Sequence, residues 1–299
     1  MKLSQLVKEL FKLLGYKISK KYFWTYNLFY GFPSNLNFDN LKNYNDYVIV
    51  IQGPFNNSFS LETIKFYKKI FPNIEIVIST WSISELTQNE IQKLNAHLLQ
   101  NELPENPGFS NINLQIVTTS NGIKYAKKFN RKYILKTRSD QRIYNLKSLD
   151  YLTNLLNIFS GKKNKRLIGC SLDNNINRAF FISDHLMFGE YIDMLNYWSP
   201  DLDKRTSIKT EKINDKNQHK FRIGGSYFFT NYIEKHLCQN INSNFEKILA
   251  QNFTIINKSD LNLFWNKYNL KENKYYDNFS NNERTFMDWF SLYLKYNDQ

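Results

Sequence analysis

Cysteine, proline and glycine are scarce in this sequence, and each scarcity excludes a class of protein. Its 299 residues include only two cysteines, six prolines and ten glycines. Cys170 and Cys238 lie far apart, without Cys-x-x-Cys or zinc-ribbon spacing, so we expect no disulfide framework and a reducing compartment. The low glycine and proline content excludes collagen-like and linker-like chains. No uninterrupted run of about 18 apolar residues occurs, so the sequence predicts no transmembrane helix.

Several well-known nucleotide-binding and catalytic signatures are also missing. There is no GxxxxGK[ST] phosphate-binding loop, and no GxGxxG follows the first predicted strand, which argues against P-loop and Rossmann dinucleotide sites. Neither HExxH nor GxSxG occurs, so the zinc-protease and α/β-hydrolase signatures are absent. The four histidines lie on different predicted elements.

Positive charge, by contrast, is abundant. The formal net charge of +13 favours anionic partners such as nucleic acid, an anionic membrane surface or phosphorylated substrates. In residues 1–21, leucines recur at helical spacing among six lysines, which predicts a basic amphipathic helix. Such a helix either lies in an anionic membrane interface or packs on the main domain. We therefore predict an N-terminal basic and aromatic segment, residues 1–32, and one globular domain, residues 33–299, that ends in a helical extension.

Strands alternate with helices from residue 46 onward. Short apolar runs predict the strands, and segments with one apolar face predict the helices. The predicted strands are residues 47–51, 74–78, 114–117, 133–135, 166–171 and 179–182. The predicted helices include residues 122–129, 146–159, 190–198 and 225–236. Thr87 and Glu90 have the spacing of a capping box at the start of a further helix. This alternation predicts an α/β fold with a mostly parallel central sheet flanked by helices.

Polar residues follow four of the predicted strands. Because ligands bind beyond the carboxyl ends of the strands in open α/β sheets, these segments together predict one rim around a binding site. For each segment taken alone, ordinary turn chemistry is the alternative. The four segments are Gln52-Gly53-Pro54, Ser79-Thr80-Trp81, Thr118-Thr119-Ser120 and Arg138-Ser139-Asp140.

Two acidic residues are the candidates for chemistry. Asp140 at a strand end can hold a divalent cation that bridges a diphosphate, while Arg138 or Lys136 adds positive charge where a leaving phosphate develops its own. The alternative is a local ion pair between Arg138 and Asp140. Asp184, next to His185 after an apolar run, can act as a metal ligand, an acceptor contact or a base. The alternative there is a hydrogen-bonded structural pair.

These segments also occur, in the same order, in a known family. The matching residues are Gln52-Gly53-Pro54, Ser79-Thr80-Trp81, Asn106-Pro107-Gly108, Asn121-Gly122-Ile123, Lys136-Thr137-Arg138-Ser139-Asp140, and Ser183-Asp184 with Phe188-Gly189. Over residues 46–235 the chain resembles the WavE lipopolysaccharide-synthesis family, which looks like a branch of the GT-A glycosyltransferases. One departure concerns residues 222–227, where family members carry a Pro-Glu-Gln-Tyr-like segment and this chain has no Glu.

The resemblance implies a GT-A-like fold and a glycosyltransferase that moves a sugar from a nucleotide-sugar donor to a surface polysaccharide or lipopolysaccharide. It implies a lipid-linked or oligosaccharide acceptor and a cytoplasmic enzyme that lies peripherally at the inner face of the membrane. By position, it assigns catalysis to Asp184 and a metal site for Mn²⁺ or Mg²⁺ to Asp140. It assigns donor binding to Gln52, Gly53, Pro54, Ser79, Thr80, Trp81, Lys136, Arg138 and Ser139.

Two other functions remain open from the sequence. A non-catalytic protein that binds glycans or membranes would keep the fold and the charge, and the single acid of the Arg138-Ser139-Asp140 segment favours it, as does the missing Glu. Nucleic-acid binding is suggested by the charge of +13. Since no DNA- or RNA-binding motif accompanies that charge, we expect no nucleic-acid partner.

Overall fold

A computed structural model describes most of the chain after residue 41. The described residues are 42–55, 57–159, 161, 166–206, 213–266 and 282–297. The amphipathic helix predicted in residues 1–21 lies outside them. Within the described residues, no helix combines the length and the apolar composition needed to cross a membrane.

Seven strands form one central sheet, and two short strands form a separate antiparallel ribbon. The sheet contains β1 (Tyr47–Gln52), β2 (Glu75–Thr80), β3 (His97–Gln100), β4 (Tyr133–Arg138), β6 (Leu167–Cys170), β7 (Met187–Glu190) and β8 (Phe253–Ile256). The ribbon consists of β5 (Gln141–Ile143) and β9 (Leu263–Trp265). The strand order in the sheet is β3-β2-β1-β4-β7-β6-β8. All neighbours pair in parallel except β7, which runs antiparallel to both β4 and β6.

Helices cover both faces of this sheet. They are α1 (Asn57–Ile70), α2 (Glu85–Lys93), α3 (Ile112–Ala126), α4 (Ser148–Ile158), α5 (Tyr191–Trp198), α6 (Gly225–His236), α7 (Phe245–Asn252) and α8 (Phe286–Asn297). Every residue of β1 is buried, as expected for a central parallel strand with helices on both sides. Ile49 and Ile51 pack into the core beneath α1 and α4, whereas Val48 and Val50 pack into the core that includes α3, α5 and α6. The predicted α/β fold with a mostly parallel sheet is confirmed.

The third predicted strand, residues 114–117, is wrong. These residues lie inside α3, and the third strand is β3. A short apolar run has no periodicity that distinguishes a strand from one turn of a buried helix, so the pattern of residues 114–117 fits both. Thr118-Thr119-Ser120 therefore lies within a helix and not at the end of a strand. Gly122 allows α3 to pack closely on the sheet, because a Cβ there would lie 2.6 Å from Val50 Cγ1 and 2.9 Å from Ser79 Cβ.

Two further local predictions are corrected. Residues 179–182 form no strand, and the strand in this region is β7. The helix predicted to begin at Thr87 begins instead after Ser84, whose side chain accepts a hydrogen bond from the Thr87 backbone N–H. Ser84 is the better N-cap because it precedes the first helical turn and can satisfy an otherwise unpaired N–H. The helix predicted over residues 225–236 is confirmed as α6.

Candidate active site

Three of the four predicted strand ends meet at one edge of the sheet. In register, Gln52 at the end of β1 pairs with Ser79 of β2 on one side and with Arg138 of β4 on the other. The chain after each strand continues this contact, since the Gly53 N–H donates to the Ser79 carbonyl at 3.2 Å and the Ser139 N–H donates to the Gln52 carbonyl at 2.9 Å. The parallel strands thus place their polar ends side by side, as the sequence predicts.

The reversed direction of β7 brings Asp184 to the same edge. Met187, at the start of β7, pairs with Lys136 of β4 on one side and with Gly169 of β6 on the other. Asp184 and His185 immediately precede β7, so they lie between the end of β4 and the end of β6. The edge therefore includes the predicted catalytic residue as well as the three strand ends.

Several of the predicted donor-binding side chains support this edge from within. Gln52 is buried, and its Oε1 accepts a hydrogen bond of 2.9 Å from the Thr118 hydroxyl of α3. Ser79 is fully buried, and its Oγ accepts from Asn101 Nδ2 at 2.9 Å. Ser139 is also buried, and its hydroxyl donates to the Pro54 carbonyl at 2.6 Å. These side chains hold the strand ends in place.

Gly53 is required by the backbone at this edge. Its φ of +111° lies in a region that side chains rarely adopt, and a Cβ there would lie 3.2 Å from Ser139 Oγ. Among the remaining donor-binding candidates, Thr80 is buried, Trp81 is half-buried and Pro54 is exposed. Pro54 and Trp81 thus offer surface to a ligand, whereas Thr80 does not.

Lys136 lies beneath the edge and has no exposed surface. Its ammonium donates to the Asp184 backbone carbonyl and lies 4.4 Å from the centroid of the Trp198 ring. Burial lowers the pKa of Lys136 to about 7, although the Asp184 charge acts in the opposite direction. In this position, Lys136 orders the segment that carries Asp184.

Asp140 is paired on both of its carboxylate oxygens. Arg138 Nε donates to Oδ1 and Arg138 Nη2 to Oδ2, each at 2.9 Å. The Trp265 indole N–H also donates to Oδ2, at 3.0 Å. Burial raises the pKa of Asp140, but the Arg138 and Trp265 hydrogen bonds outweigh it and hold that pKa below its ordinary value. The ion pair weighed as an alternative for this segment is present.

This arrangement does not fit a divalent cation held by the protein. A cation at Asp140 would share a carboxylate that already accepts three hydrogen bonds, and it would lie beside the positive charge of Arg138. Across the residues that the structure describes, no three His, Cys, Asp or Glu side chains converge as metal ligands. Arg138 instead places a positive charge at the end of β4, with its side chain 23% exposed.

His185 and Trp265 close one side of the candidate site. Gln141 Nε2 lies 2.7 Å from His185 Nδ1, and the His185 and Trp265 rings meet edge to face at 4.4 Å. Burial lowers the pKa of His185 well below its ordinary value, so the ring is neutral at pH 7. Trp265 comes from β9, far along the chain, and the Asn266 N–H next to it donates to the Asp140 carbonyl at 2.7 Å. No local pattern indicated this residue, since only the pairing of β9 with β5 brings it here.

Asp184 is ionised at neutral pH. Burial raises its pKa, but the neighbouring His185, Lys136 and Arg138 outweigh burial and hold the pKa below its ordinary value. His185 is charged only in acid, where Asp184 titrates; at pH 7 Arg138 is the permanent cation near this carboxylate, because Lys136, with a pKa of about 7, is protonated only in part.

A further acid, Asp173, follows β6 at the same edge. Arg178 Nη1 donates to Asp173 Oδ1 at 2.9 Å, while Arg178 Nε donates to Asp215 at 2.9 Å. Burial raises the pKa of Asp173 to about 6, and Asp184 and Glu283 add to that increase against the opposing charge of Arg178. Sequence analysis missed Asp173, although it lies shortly after the predicted strand of residues 166–171, as Asp140 lies shortly after that of residues 133–135.

The comparison with protein families identifies the chain. The family described as WavE lipopolysaccharide synthesis matches residues 47–299. The chain belongs to this family. The match confirms the resemblance and extends it beyond residue 235 to the end of the chain. No curated protein matches the sequence.

Three solved structures are among those similar to this WavE-family chain. A putative nucleotide-diphospho-sugar transferase from Desulfovibrio desulfuricans G20 has 8% identity and a TM-score of 0.39, with 85% of this chain and 95% of that chain covered. A mannosyltransferase from Pyrobaculum calidifontis, in complex with GDP-Man and Mn²⁺, has 10% identity and a TM-score of 0.36, with 80% of this chain and 77% of that chain covered. A cytidylyltransferase from Leptospira borgpetersenii has 16% identity and a TM-score of 0.33, with 58% of this chain and 73% of that chain covered.

Proposed function

We propose that this WavE-family protein is a glycosyltransferase that moves a sugar from a nucleotide-sugar donor to an acceptor in lipopolysaccharide synthesis. The observation that carries the proposal is the convergence of the ends of β1, β2 and β4 with the Asp184 segment at one edge of the sheet. Ligands of open α/β sheets bind at this kind of edge. Family membership supplies the biological setting of the reaction.

Arg138 is proposed to bind the donor diphosphate. Its guanidinium is fixed by Asp140, remains partly exposed and stays charged at any working pH. A fixed cation stabilises negative charge that develops on a leaving diphosphate, because no reorganisation is needed when that charge appears. Pro54 and Trp81 offer the surface beside it, and the buried Gln52, Ser79 and Ser139 keep the strand ends in register.

The acceptor is proposed to approach from the side of Asp184. This carboxylate is half-buried between the ends of β4 and β6, and it remains the predicted catalytic residue. A lipid-linked acceptor would suit an enzyme at the inner face of the membrane, and residues 1–21 would supply the contact with anionic lipid. Deletion of residues 1–21 should then abolish binding to anionic vesicles without changing the thermal unfolding of the remaining chain. Unchanged vesicle binding would contradict this role.

The proposed glycosyltransferase activity is tested by measuring the nucleotide that the protein releases from a panel of nucleotide sugars, with and without an oligosaccharide acceptor. We expect one donor to be turned over by the wild type, and Arg138→Gln to lose most of that turnover. Arg131→Gln is the matched control, because Arg131 precedes β4 at the opposite edge of the sheet. Equal turnover by wild type and Arg138→Gln would contradict the proposed donor site.

A second candidate function is a non-catalytic protein that binds glycans on the same fold. It is favoured by one observation: both oxygens of the Asp140 carboxylate accept hydrogen bonds from Arg138 and Trp265. It predicts glycan binding without nucleotide release from any donor. The same panel therefore separates the two functions.

A further inference from the structure

Three carboxylates lie at the edge of the sheet where the ends of β1, β2 and β4 meet, and they differ in their hydrogen-bond and ion-pair partners. Asp140 has hydrogen bonds on both oxygens, from Arg138 and Trp265. The pKa of Asp184 is held below its ordinary value by the charges of His185, Lys136 and Arg138, which makes this carboxylate a weak base. Asp173 is held by Arg178 on Oδ1 alone, and within the described part of the chain no hydrogen bond reaches its Oδ2. Its side chain is 25% exposed.

The strand register places Asp173 across the edge from Arg138. Because β7 runs antiparallel to both neighbours, β4 and β6 point the same way and their carboxyl ends share one edge. Asp173 follows β6 in a turn in which the Asn174 N–H donates to the Ser171 carbonyl at 2.8 Å. The Asp184 segment lies between the two strand ends, and its charge acts on Asp173. Asp173 and the proposed diphosphate-binding arginine therefore lie at the same edge of the sheet, on either side of the Asp184 segment.

The charges around Asp173 raise the pKa of its carboxylate and so make it a stronger base. Asp184 faces it from the segment before β7, and Glu283 faces it from the segment before α8 and is itself paired with Lys258 at 2.9 Å. The opposing charge is Arg178, which is shared with a second carboxylate, Asp215. Burial and the two acids outweigh Arg178 and raise the pKa of Asp173 to about 6. A general base is most effective when its pKa lies near the working pH.

We propose that Asp173 is the general base of the transfer reaction. The acceptor hydroxyl oxygen forms the new bond to the anomeric carbon of the donor sugar, and its proton passes to Asp173 Oδ2. The bond between that carbon and the diphosphate oxygen breaks, and the leaving diphosphate takes the electron pair. Displacement from the face opposite the leaving group inverts the anomeric configuration. The inference rests on the proposed glycosyltransferase function and assigns the base within it. Asp184 stays ionised in this scheme, and its negative charge favours protonation of Asp173.

The alternative is that Asp173 only forms a structural ion pair with Arg178. The two roles are separated by Asp173→Asn, with Asp215→Asn as the matched control that removes the other carboxylate from the same arginine. For Asp173→Asn, we expect turnover to fall by about 10²- to 10⁴-fold while the affinity for nucleotide is unchanged. The acidic limb of the pH profile of kcat, which the wild type should show near pH 6, should disappear. Asp215→Asn should keep both the turnover and the limb.

A second variant keeps the test decisive if Asp173→Asn does not fold. Arg178→Gln removes the cation that lowers the pKa of Asp173, so the acidic limb should move to higher pH. A limb that stays in place in Arg178→Gln, or normal turnover by folded Asp173→Asn, would overturn the proposal. A wild-type protein that turns over no nucleotide sugar would instead overturn the proposed function itself. If the wild type is active and Asp173→Asn has the same turnover, only this inference is overturned.

Discussion

Arg138 and Asp140 form a two-point ion pair at the end of β4, with both hydrogen bonds at 2.9 Å. The two residues are separated by one position, so the pair closes a short turn and orients the guanidinium with little freedom. The Trp265 N–H adds a third hydrogen bond to the same carboxylate. A carboxylate arranged in this way positions a cationic side chain, and the neighbouring positive charge of that side chain opposes the binding of a metal ion.

The first prediction concerns metal dependence. Because Arg138 supplies the positive charge, we expect nucleotide release by the wild type to continue in excess EDTA. Asp140→Asn should keep the fold but lose the orientation of Arg138, and its turnover should fall by at least about tenfold, equivalent to about 1.4 kcal/mol. Activity that EDTA abolishes and Mn²⁺ restores would support the cation site that the sequence predicts at Asp140. Circular dichroism and thermal unfolding provide the control for folding.

A second prediction separates the two candidate acids. Asp184→Asn removes a negative charge that raises the pKa of Asp173, so the acidic limb of the kcat profile should move to lower pH. We expect turnover to fall by less than about tenfold, because a general base loses less rate than basicity when its pKa decreases. Nucleotide affinity, measured by calorimetry, should stay close to that of the wild type. A loss of about 10²- to 10⁴-fold together with complete loss of the limb would make Asp184 the base.

Trp265 is the subject of a third prediction. Trp265→Phe removes the indole N–H donor to Asp140 but keeps an aromatic ring beside His185. The free energy of unfolding should decrease by about 1 kcal/mol from the lost hydrogen bond, and turnover should fall severalfold. Trp265→Ala should cost about 3–5 kcal/mol, since it also leaves a cavity at a buried position. A Trp265→Phe variant that matched the wild type in urea unfolding and in turnover would contradict a specific role for the indole N–H, whereas the difference between the two variants measures the contribution of the ring.

The fourth prediction tests the close packing of α3 on the sheet. In Gly122→Ala, the new Cβ would overlap Val50 and Ser79, so the free energy of unfolding should fall by about 1–3 kcal/mol despite the better helix propensity of Ala. Gly224→Ala measures backbone strain separately, because nothing lies within 4 Å of its Cβ but its positive φ of +52° opposes a side chain, so this variant should also lose stability without any overlap. If Gly122→Ala were as stable as the wild type, the contact between α3 and β1 would be looser than described.

The apolar strand runs made the central part of the fold predictable. Strands buried on both faces consist almost entirely of apolar residues, so β1 and β2 were visible in the sequence, as were the polar residues that end them. The same logic located Arg138 and Asp140. It failed for residues 114–117, where a turn of buried helix has the same composition as a short strand.

The sequence by itself determined the α/β class, the polar ends of β1, β2 and β4, and the resemblance that the family match confirms. Only the tertiary structure decided how Arg138 is paired and which acids share its edge. The reversal of β7 places Asp173 and Asp184 together, and the pairing of β9 with β5 brings Trp265 to Asp140. The physical reason is that a strand's residues encode its burial but not its direction or its partner. Direction and partner follow from packing between segments far apart in the chain, and the charges that meet there set the pKa of each acid.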